Sequence, residues 1–295
     1  MNDLDLSQKV DAFWNTHTIK IPDVKNLSDL LKYMKKRRDY YPHFSELMEL
    51  DHPYEKDIIL DFGCGPGFDL INFVLKSMAE KIIGMDISDK ALKLARNYMD
   101  LIDVGEKQVL LMKTSNDPKI DLENSSIDHI LCGGVLHHVA HPEIILSEFY
   151  RILKPGKSAI VMVYNKDSIF YHMYVAYCRG AVEGLFYDDL TADEIFSIST
   201  DGKDCPKSRC YSPSEFIALC AKNGWDYVDF RGGYLSHYDS SDFYNTHIKN
   251  LLKSFISDRH KEFLKQISFN AKNSPFYNGK LAGIGGVYKL SKESN

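Results

Sequence analysis

The fold of this 295-residue chain is decided by one stretch, Ile58-Ile59-Leu60-Asp61-Phe62-Gly63-Cys64-Gly65-Pro66-Gly67-Phe68-Asp69. A short apolar run begins it and predicts a buried strand, and apolar residues at helical spacing over 70–78 predict a helix behind it. The glycines between them are spaced Gly-x-Gly-x-Gly. Because glycine has no Cβ, the backbone can turn sharply there and a ligand can lie against it, while the helix start offers unpaired N–H groups. The stretch predicts a cradle for a nucleotide-like cofactor or a carboxylate; the alternative is a turn that only joins strand to helix.

Two details of this stretch separate the classes of nucleotide-binding turn. The dinucleotide fingerprint Gly-x-Gly-x-x-Gly needs a third glycine where this chain has Phe68. Asp61, at the end of the strand, would repel a pyrophosphate but would suit an ammonium group. The stretch resembles motif I of the class I S-adenosylmethionine-dependent methyltransferases, hydrophobic-Leu-Asp-x-Gly-x-Gly-x-Gly. That resemblance implies that Asp61, Gly63, Gly65 and Gly67 bind S-adenosyl-L-methionine.

A second predicted strand, over 81–86, also ends in an acid. Asp86 follows the glycine turn by about 20 residues, and in open α/β sheets an acid there accepts hydrogen bonds from ribose hydroxyls. The alternative is a helix cap, although Ser88 is available to cap a helix predicted over 89–101. Because neighbouring parallel strands end side by side, we expect Asp86 and the adjoining Ile87 to reach the same ligand as Gly63.

The family usually carries an acid after its third strand, which here is predicted over 108–113. The resemblance implies that this residue contacts the adenine. Asn116 stands at the usual position and Asp117 follows it, which departs from the family's pattern. The adenine contact is therefore open between Asn116 and Asp117, since both side chains carry an oxygen that can accept a hydrogen bond from the base amino group.

The second specific match to the family is the stretch over 126–139, Ser-Ile-Asp-His-Ile-Leu-Cys-Gly-Gly-Val-Leu-His-His-Val. It resembles the fourth-strand motif, and it implies that Gly133 lets the backbone pass the methionine end of the cofactor. By the same resemblance His137 and His138 lie at the mouth of the site. Imidazole titrates near working pH, so either histidine is a candidate general base for an alcohol, phenol or protonated amine. The alternative is that they only pack or bond to the backbone.

The predicted elements alternate as βα units, with a further helix over 142–153 and a fifth strand over 158–164. Such an order calls for a parallel sheet with helices on both faces and ligands at the carboxyl ends of the strands. The fold class predicted is α/β, a doubly wound, seven-stranded and mostly parallel sheet of the Rossmann-like methyltransferase type. A last strand over 283–290 would pair antiparallel in this fold.

Four segments are expected along the chain: a helical N-terminal cap (1–56), a cofactor-binding core (57–165), an insertion forming a lid (166–210), and the rest of the core (211–295) with a second insertion (232–280). The first insertion is long and rich in aromatic residues, so we expect it to be ordered and functional. The substrate would be chosen by these caps, and the candidate substrate-binding residues are Trp14, Tyr164, Asn165, Arg209 and Tyr211, with His237 as a further pocket residue. The planar guanidinium of Arg209 is suited to binding a carboxylate or phosphate. The alternative is that it forms a salt bridge within the loop.

The composition excludes several other classes. A net charge of −5 with no basic block argues against a nucleic-acid surface. Six scattered cysteines without a Cys-x-x-Cys pair, and no compact acidic group beyond the cofactor contacts, indicate no metal site. An acidic N-terminus without an apolar core, and no run long enough to cross a bilayer, predict a cytoplasmic enzyme without membrane association. A monomer or homodimer is expected.

The sequence therefore predicts an S-adenosylmethionine-dependent methyltransferase that resembles the type 11, UbiE-like small-molecule group. Its methyl acceptor would be an oxygen or nitrogen atom of a small molecule with an aromatic or carboxylate-bearing portion. Alternatives within the same chemistry are an RNA or protein methyltransferase and a non-catalytic relative that binds S-adenosylmethionine without turnover. A nicotinamide-dependent oxidoreductase would bind NADH instead, and Asp61 and the glycine spacing disfavour it.

Overall fold

The computed structural model describes residues 3–17, 24–102, 109–114 and 119–294. Eleven strands lie in these ranges: β1 Ile58–Phe62, β2 Lys81–Asp86, β3 Val109–Lys113, β4 Ile127–Gly133, β5 Leu153–Asn165, β6 Cys210–Tyr211, β7 Tyr227–Tyr234, β8 Ser268–Phe269, β9 Pro275–Tyr277, β10 Lys280–Leu281 and β11 Gly285–Ser291. Seven of them form the main sheet in the order β3-β2-β1-β4-β5-β11-β7, and β6 pairs with the end of β5. Strands β8 to β10 form a small separate sheet.

The direction of the strands confirms the doubly wound, mostly parallel fold predicted from the sequence. Strands β1 to β5 pair in parallel, while β11 runs antiparallel to both of its neighbours, β5 and β7. Two hydrophobic cores lie on the two faces, because successive strand residues point to opposite sides of a sheet. Ile59 belongs to one core and Leu60 to the other.

Ten α-helices accompany the sheet in the described ranges: α1 Asp3–Thr16, α2 Leu27–Tyr40, α3 Phe44–Leu47, α4 Phe68–Lys76, α5 Asp89–Leu101, α6 Pro142–Ile152, α7 Ala192–Asp201, α8 Pro213–Ala221, α9 Ser241–Leu251 and α10 Asp258–Lys265. Serine side chains cap α5 and α8, and Ser88 does so as predicted. The Ser88 hydroxyl accepts from the Ala91 N–H, and Ser212 forms a reciprocal capping box with Glu215. The helical stretch before β1 breaks at Pro42, between α2 and α3, since proline cannot continue a helix.

Two local predictions were wrong. The Leu-Lys-Pro-Gly-Lys stretch over 153–157 predicts a turn, but it belongs to β5, whose pairing with β4 shifts register between Ile127 and His129. The sequence around 247–264 predicts one helix, but the structure has two, α9 and α10, because the chain turns after Leu251 and restarts at Ser257. The first insertion contains a further helix, α7, which begins at a capping box of Thr191 and Glu194.

The two insertions pack together as one cap. The first begins with a π-helix, Phe170–Val182, and its buried Met173 shares a hydrophobic core with Leu251 and Phe263 of the second. The buried carboxylate of Asp239 accepts hydrogen bonds from the N–H groups of Phe170 and Ile284, so it ties both insertions to the last strand.

A buried pair of histidines also joins the insertions, and it makes the stability of the cap depend on pH. The Nδ1 atoms of His172 and His260 lie 3.0 Å apart, and Phe263 stacks on His172. Burial lowers the pKa of His260 to about 4 and the pKa of His172 well below its usual range. Because an unfolded histidine takes a proton below about pH 6.5 and folded His260 does so only near pH 4, stability is lost as the pH falls between these values.

We expect His260→Gln to reduce this loss. When the pH falls from 7 to 5, protonation of His260 in the unfolded state should lower the unfolding free energy of the wild type by up to about 2 kcal/mol. The variant lacks this histidine and should not show that loss. Urea unfolding at the two pH values measures the difference. His247→Gln, a substitution of another histidine in the cap, should follow the wild type; equal pH dependence in His260→Gln would contradict the prediction.

Candidate active site

A cavity of about 770 Å³ opens at the carboxyl ends of the parallel strands, where ligands bind in open α/β sheets. Its lining comes from the ends of β1, β2, β4 and β5, from the N-terminal helices and from the lid. Of the residues predicted for the site, it includes Gly63, Gly65, Asp86, Ile87, Gly133, His137, His138, Trp14 and Tyr164.

The glycine turn after β1 has the predicted backbone. Gly63, Gly65 and Gly67 all have positive φ, which favours glycine. A Cβ on Gly63 would lie 2.1 Å from a methyl group of Val135, whereas a Cβ on Gly65 would meet nothing within 4 Å. Gly67 caps α4 and faces Ala95 rather than the cavity. The turn therefore packs at Gly63 and Gly67, and it leaves open space at Gly65.

Asp86 holds this turn in place from the neighbouring strand. Its Oδ2 accepts from the Gly65 N–H at 2.8 Å and its Oδ1 from the Ser88 N–H at 2.8 Å. Burial raises the pKa of its carboxyl, and the N–H groups of Ser88, Gly65 and Ile87 oppose this by stabilising the charged form. Since each carboxylate oxygen has two lone pairs, both oxygens can still accept hydrogen bonds from a ligand.

Asp61 is a buried acid with an unsatisfied oxygen. Its side chain is 3% exposed, and Oδ2 has no hydrogen-bond partner among the described residues. Burial raises its pKa well above the usual range, and the negative charges of Asp69 and Asp86 add to the rise. A carboxylate in such a place is costly unless a cation or a donor reaches it. The residue is the last but one of β1, and Phe62, which lines the cavity, stands between it and Gly63; Asp61 itself lies behind the lining.

The N-terminal helices close one side of the cavity with aromatic rings. Trp14 of α1, Tyr33 of α2 and Phe44 of α3 all line it, and Tyr234 of β7 faces the same space although it is far away in the sequence. Arg37 of α2 also lines the cavity, but its guanidinium pairs with Asp69 at 2.8 Å. The wall is therefore largely aromatic, with its arginine already paired.

The two histidines after β4 lie side by side, with ring centroids 4.1 Å apart. His137 is 1% exposed, packs against the ring of Tyr164 at 3.9 Å, and has no partner for either ring nitrogen among the described residues. Burial lowers its pKa well below the usual range, and the charges of His138 and Arg209 lower it further. His137 is thus a neutral ring with hydrogen-bonding capacity to spare at the cavity wall.

The segment that contains α7 supplies residues that were not predicted for the site. Thr200 and Asp201, at the end of α7, line the cavity, and Asp201 accepts a hydrogen bond from the Tyr164 hydroxyl at 2.9 Å. His138 comes within reach of Asp201 and Cys205, although it lies more than 60 positions before them in the sequence. The sequence signal that could have located Asp201 is the capping box at Thr191, which makes 192–201 a helix and places Asp201 at its end.

The remaining predicted site residues take other places. Arg209 donates to the carbonyl oxygens of Val139 and Ala140, so it joins the lid to the segment after the histidines. The amide of Asn165 is fully buried and donates to two backbone carbonyls. Tyr211 packs on Phe216, and His237 packs on Tyr238. None of Arg209, Asn165, Tyr211 and His237 lines this cavity, while Asn116 and Asp117 lie outside the described residues.

Comparison with known proteins agrees with this geometry. A family model described as a methyltransferase domain matches residues 60–161, the part of the chain that carries the glycine turn, Asp86 and both histidines. The mouse mitochondrial ubiquinone biosynthesis O-methyltransferase is 27% identical over 121 residues. That match covers 41% of this chain and 32% of the mouse protein, so the chain spans about a third of that relative's length.

Solved structures share the fold at low identity. The YcgJ protein from Bacillus subtilis superposes with a TM-score of 0.55 at 16% identity, covering 85% of this chain and 98% of that one. Geranyl diphosphate C-methyltransferase from Streptomyces coelicolor, solved with S-adenosyl-L-homocysteine, gives 0.52 at 11% identity and 97% coverage of both chains.

The sheet order, the antiparallel last strand and the glycine turn define a Rossmann-like domain of the methyltransferase type. Residues 60–161 are similar to the methyltransferase domain, and the curated relatives that match this part of the chain include ubiquinone biosynthesis and demethylmenaquinone methyltransferases. Within the described residues, the longest apolar helices fall short of what crossing a bilayer requires.

Proposed function

We propose that this protein binds S-adenosyl-L-methionine and transfers its methyl group to an oxygen or nitrogen atom of a small molecule. One observation carries the proposal: Asp61 and Asp86 end adjacent parallel strands on either side of a glycine turn that leaves open space at Gly65. This arrangement suits a ligand with an ammonium group at one end and a ribose at the other.

The residues present fit the cofactor. The unsatisfied Asp61 oxygen would receive the ammonium group, Gly65 would let the ligand lie against the backbone, and Asp86 would accept from the ribose hydroxyls. Ile87 and Gly133 line the same cavity. When bound, the cofactor supplies an electrophilic methyl on a sulfonium that carries its own leaving group. The protein's task is then to hold the acceptor in line and to take its proton.

The acceptor side of the cavity supports a small substrate with a flat portion. Trp14, Tyr33, Phe44, Tyr164 and Tyr234 offer aromatic faces, and such faces pack well against other rings. The acceptor group itself would meet His137 and His138. The mouse relative is an O-methyltransferase, whereas the Streptomyces structure is that of a C-methyltransferase. The relatives therefore disagree on the methylated atom, and the proposal of oxygen or nitrogen rests on the histidines of the site. Six free thiols also suit a reducing compartment, and we propose the cytoplasm.

Calorimetric titration of the purified protein tests the proposal. S-adenosylmethionine and S-adenosylhomocysteine should each bind at one site per chain, and NADH should not bind. Binding of NADH alone, or of none of the three ligands, would overturn the assignment. A subsequent screen with tritiated methyl donor against phenols and primary amines separates a catalyst from a non-catalytic relative, because only the former transfers label.

A further inference from the structure

The lid contributes a fixed carboxylate to the wall that carries the histidines. Asp201 is 7% exposed in its side chain, and three hydroxyls donate to it. The Tyr164 hydroxyl donates to Oδ1 at 2.9 Å, and the hydroxyls of Thr200 and Ser208 each donate to Oδ2 at 2.7 Å. Hydrogen bonds to the charged form favour ionisation and fix the orientation of the group. Asp201 is thus a rigid negative charge at the edge of the cavity.

The contacts of His138 determine which of its nitrogens is free. Its Nδ1 lies 2.8 Å from the carbonyl oxygen of Lys207, which can only accept, so Nδ1 carries the hydrogen. Nε2 of the neutral ring therefore keeps its lone pair. This Nε2 lies 3.7 Å from Oδ1 of Asp201. At this distance the two atoms share no hydrogen bond, so the lone pair of Nε2 stays available to an incoming proton, and the nearby carboxylate would stabilise the positive charge that results.

We propose that Nε2 of His138 takes the proton of the methyl acceptor, and that Asp201 is the positioning residue that stabilises the resulting imidazolium. The proposal rests on the proposed function and deepens it. It names a substrate class, acceptors that carry a proton on the reacting atom: phenols, alcohols and protonated amines. It also implies that His138 can act as a base only when the lid is in place, because the lid contains both Asp201 and Lys207, the residues that contact its two ring nitrogens.

The same geometry separates the roles of the two histidines. No carboxylate of the described residues contacts the ring of His137, and the nearby positive charge of Arg209 lowers the pKa of both histidines. Burial also lowers the pKa of His138, but Asp201 and the Lys207 carbonyl oppose that effect. The other groups that face His138 are Trp14, which packs edge-on, and Cys205, whose Sγ lies 3.9 Å from Nδ1. His137 is left to orient the acceptor as a neutral hydrogen-bonding ring.

The step balances with these groups alone. A phenol or alcohol oxygen gives its proton to Nε2 of His138 as an oxygen lone pair forms the new bond to the methyl carbon. A protonated amine gives its proton to Nε2 first, and the nitrogen lone pair freed in this way forms the bond. The carbon–sulfur bond of the donor breaks, and its electron pair stays on sulfur. The imidazolium then returns its proton to water after the product leaves, and His138 is neutral again.

The test is an NMR titration of the full chain labelled with ¹⁵N and ¹³C histidine and saturated with S-adenosylhomocysteine. His138→Gln assigns the signal. Asp201→Asn keeps the size of the side chain and an oxygen that can accept from the Thr200 and Ser208 hydroxyls but removes the charge, so the pKa of His138 should fall by about one unit or more. Asp193→Asn is the matched control: it removes a carboxylate from the same helix, one that accepts from the Tyr171 hydroxyl instead, and it should leave His138 unchanged.

Initial rates with the labelled methyl donor provide the second readout. Because general-base catalysis is worth about 10²–10⁴-fold, His138→Gln and Asp201→Asn should each slow transfer to a phenol by about 100-fold, while Asp193→Asn stays within about twofold. In Asp201→Asn the acid limb of the rate profile should also move to lower pH, which a purely structural defect would not cause.

The outcomes separate this inference from the proposed function. Failure of the wild type to bind S-adenosylhomocysteine would overturn both. Normal binding with an unchanged His138 titration in Asp201→Asn would overturn this inference alone. So would stoichiometric Zn²⁺ binding that abolishes the His138 titration and is required for activity, since His138, Asp201 and Cys205 would then be metal ligands.

Discussion

Asp86→Ala should weaken the binding of S-adenosylhomocysteine by about 100-fold or more. The substitution removes the acceptor for two ribose hydroxyls, and hydrogen bonds to a charged group are worth about 1.5–3 kcal/mol each. It also releases the Gly65 N–H, which Asp86 holds at 2.8 Å, so the glycine turn loses its anchor. A loss of about 2.7 kcal/mol corresponds to a hundredfold change in affinity. Isothermal titration of both proteins measures it.

Asp89→Ala is the control for this substitution. Asp89 lies three residues further on, at the start of α5, and its exposed carboxylate pairs with Lys113. Removing it changes the net charge by the same amount without touching the glycine turn, so affinity should change by less than about threefold, as expected for an exposed pair. Equal losses in the two variants would mean that charge alone, and not contact by Asp86, governs binding.

Asp61→Asn should make the free protein more stable and the complex weaker. The Asp61 carboxylate is buried with an oxygen that has no partner among the described residues, and removing an uncompensated charge should raise the unfolding free energy by about 1–3 kcal/mol. The variant also loses the charge that would receive the ammonium group of the cofactor. We therefore expect affinity for S-adenosylmethionine to fall by about 30-fold or more, since a charge-assisted hydrogen bond is lost.

The sign of the pH dependence tests the stability part. Since burial raises the folded pKa of Asp61 above its unfolded value, the charge is unfavourable to folding once the pH rises above the unfolded pKa near 4. The stability gain of Asp61→Asn should therefore be present at pH 7 and shrink towards pH 4. Chemical unfolding at several pH values measures it. Asp57→Asn, before the start of β1 and paired with Lys157, should show no gain in stability and no loss of affinity.

Much of the core could be predicted because its signals are local. Three glycines with an acid before them, and a second acid at the end of the next strand, each occupy a few consecutive residues. The fold then brings them together by the general rule that parallel strands end at one edge. For the same reason the order of residues along the chain is enough to place Asp86, Gly65, His137 and His138 in one cavity.

The contacts of the segment 166–210 could not be predicted in this way because they are long-range. Nothing near Asp201 in the sequence indicates that it meets Tyr164 and His138, which lie 37 and 63 positions earlier. Arg209 is the opposite case. Its guanidinium is suited to binding an anion, but in the structure it donates hydrogen bonds to two backbone carbonyl oxygens. Which partner a polar side chain finds depends on how the insertions pack, and hydrophobic periodicity carries no information about that.

The place of β11 has a consequence for how this protein is made. Strand β11 lies between β5 and β7, and β7 has no other partner in the main sheet among the described strands. A ribosome releases residues 227–234 well before residues 285–291 exist, so β7 must wait for the later strand before its backbone groups are paired. During that interval the edge of β5 is also open, and exposed edges attract other chains. We expect nascent chains arrested before residue 285 to depend on chaperones. Chains arrested beyond β11, with a linker long enough for β11 to leave the exit tunnel, should resist protease.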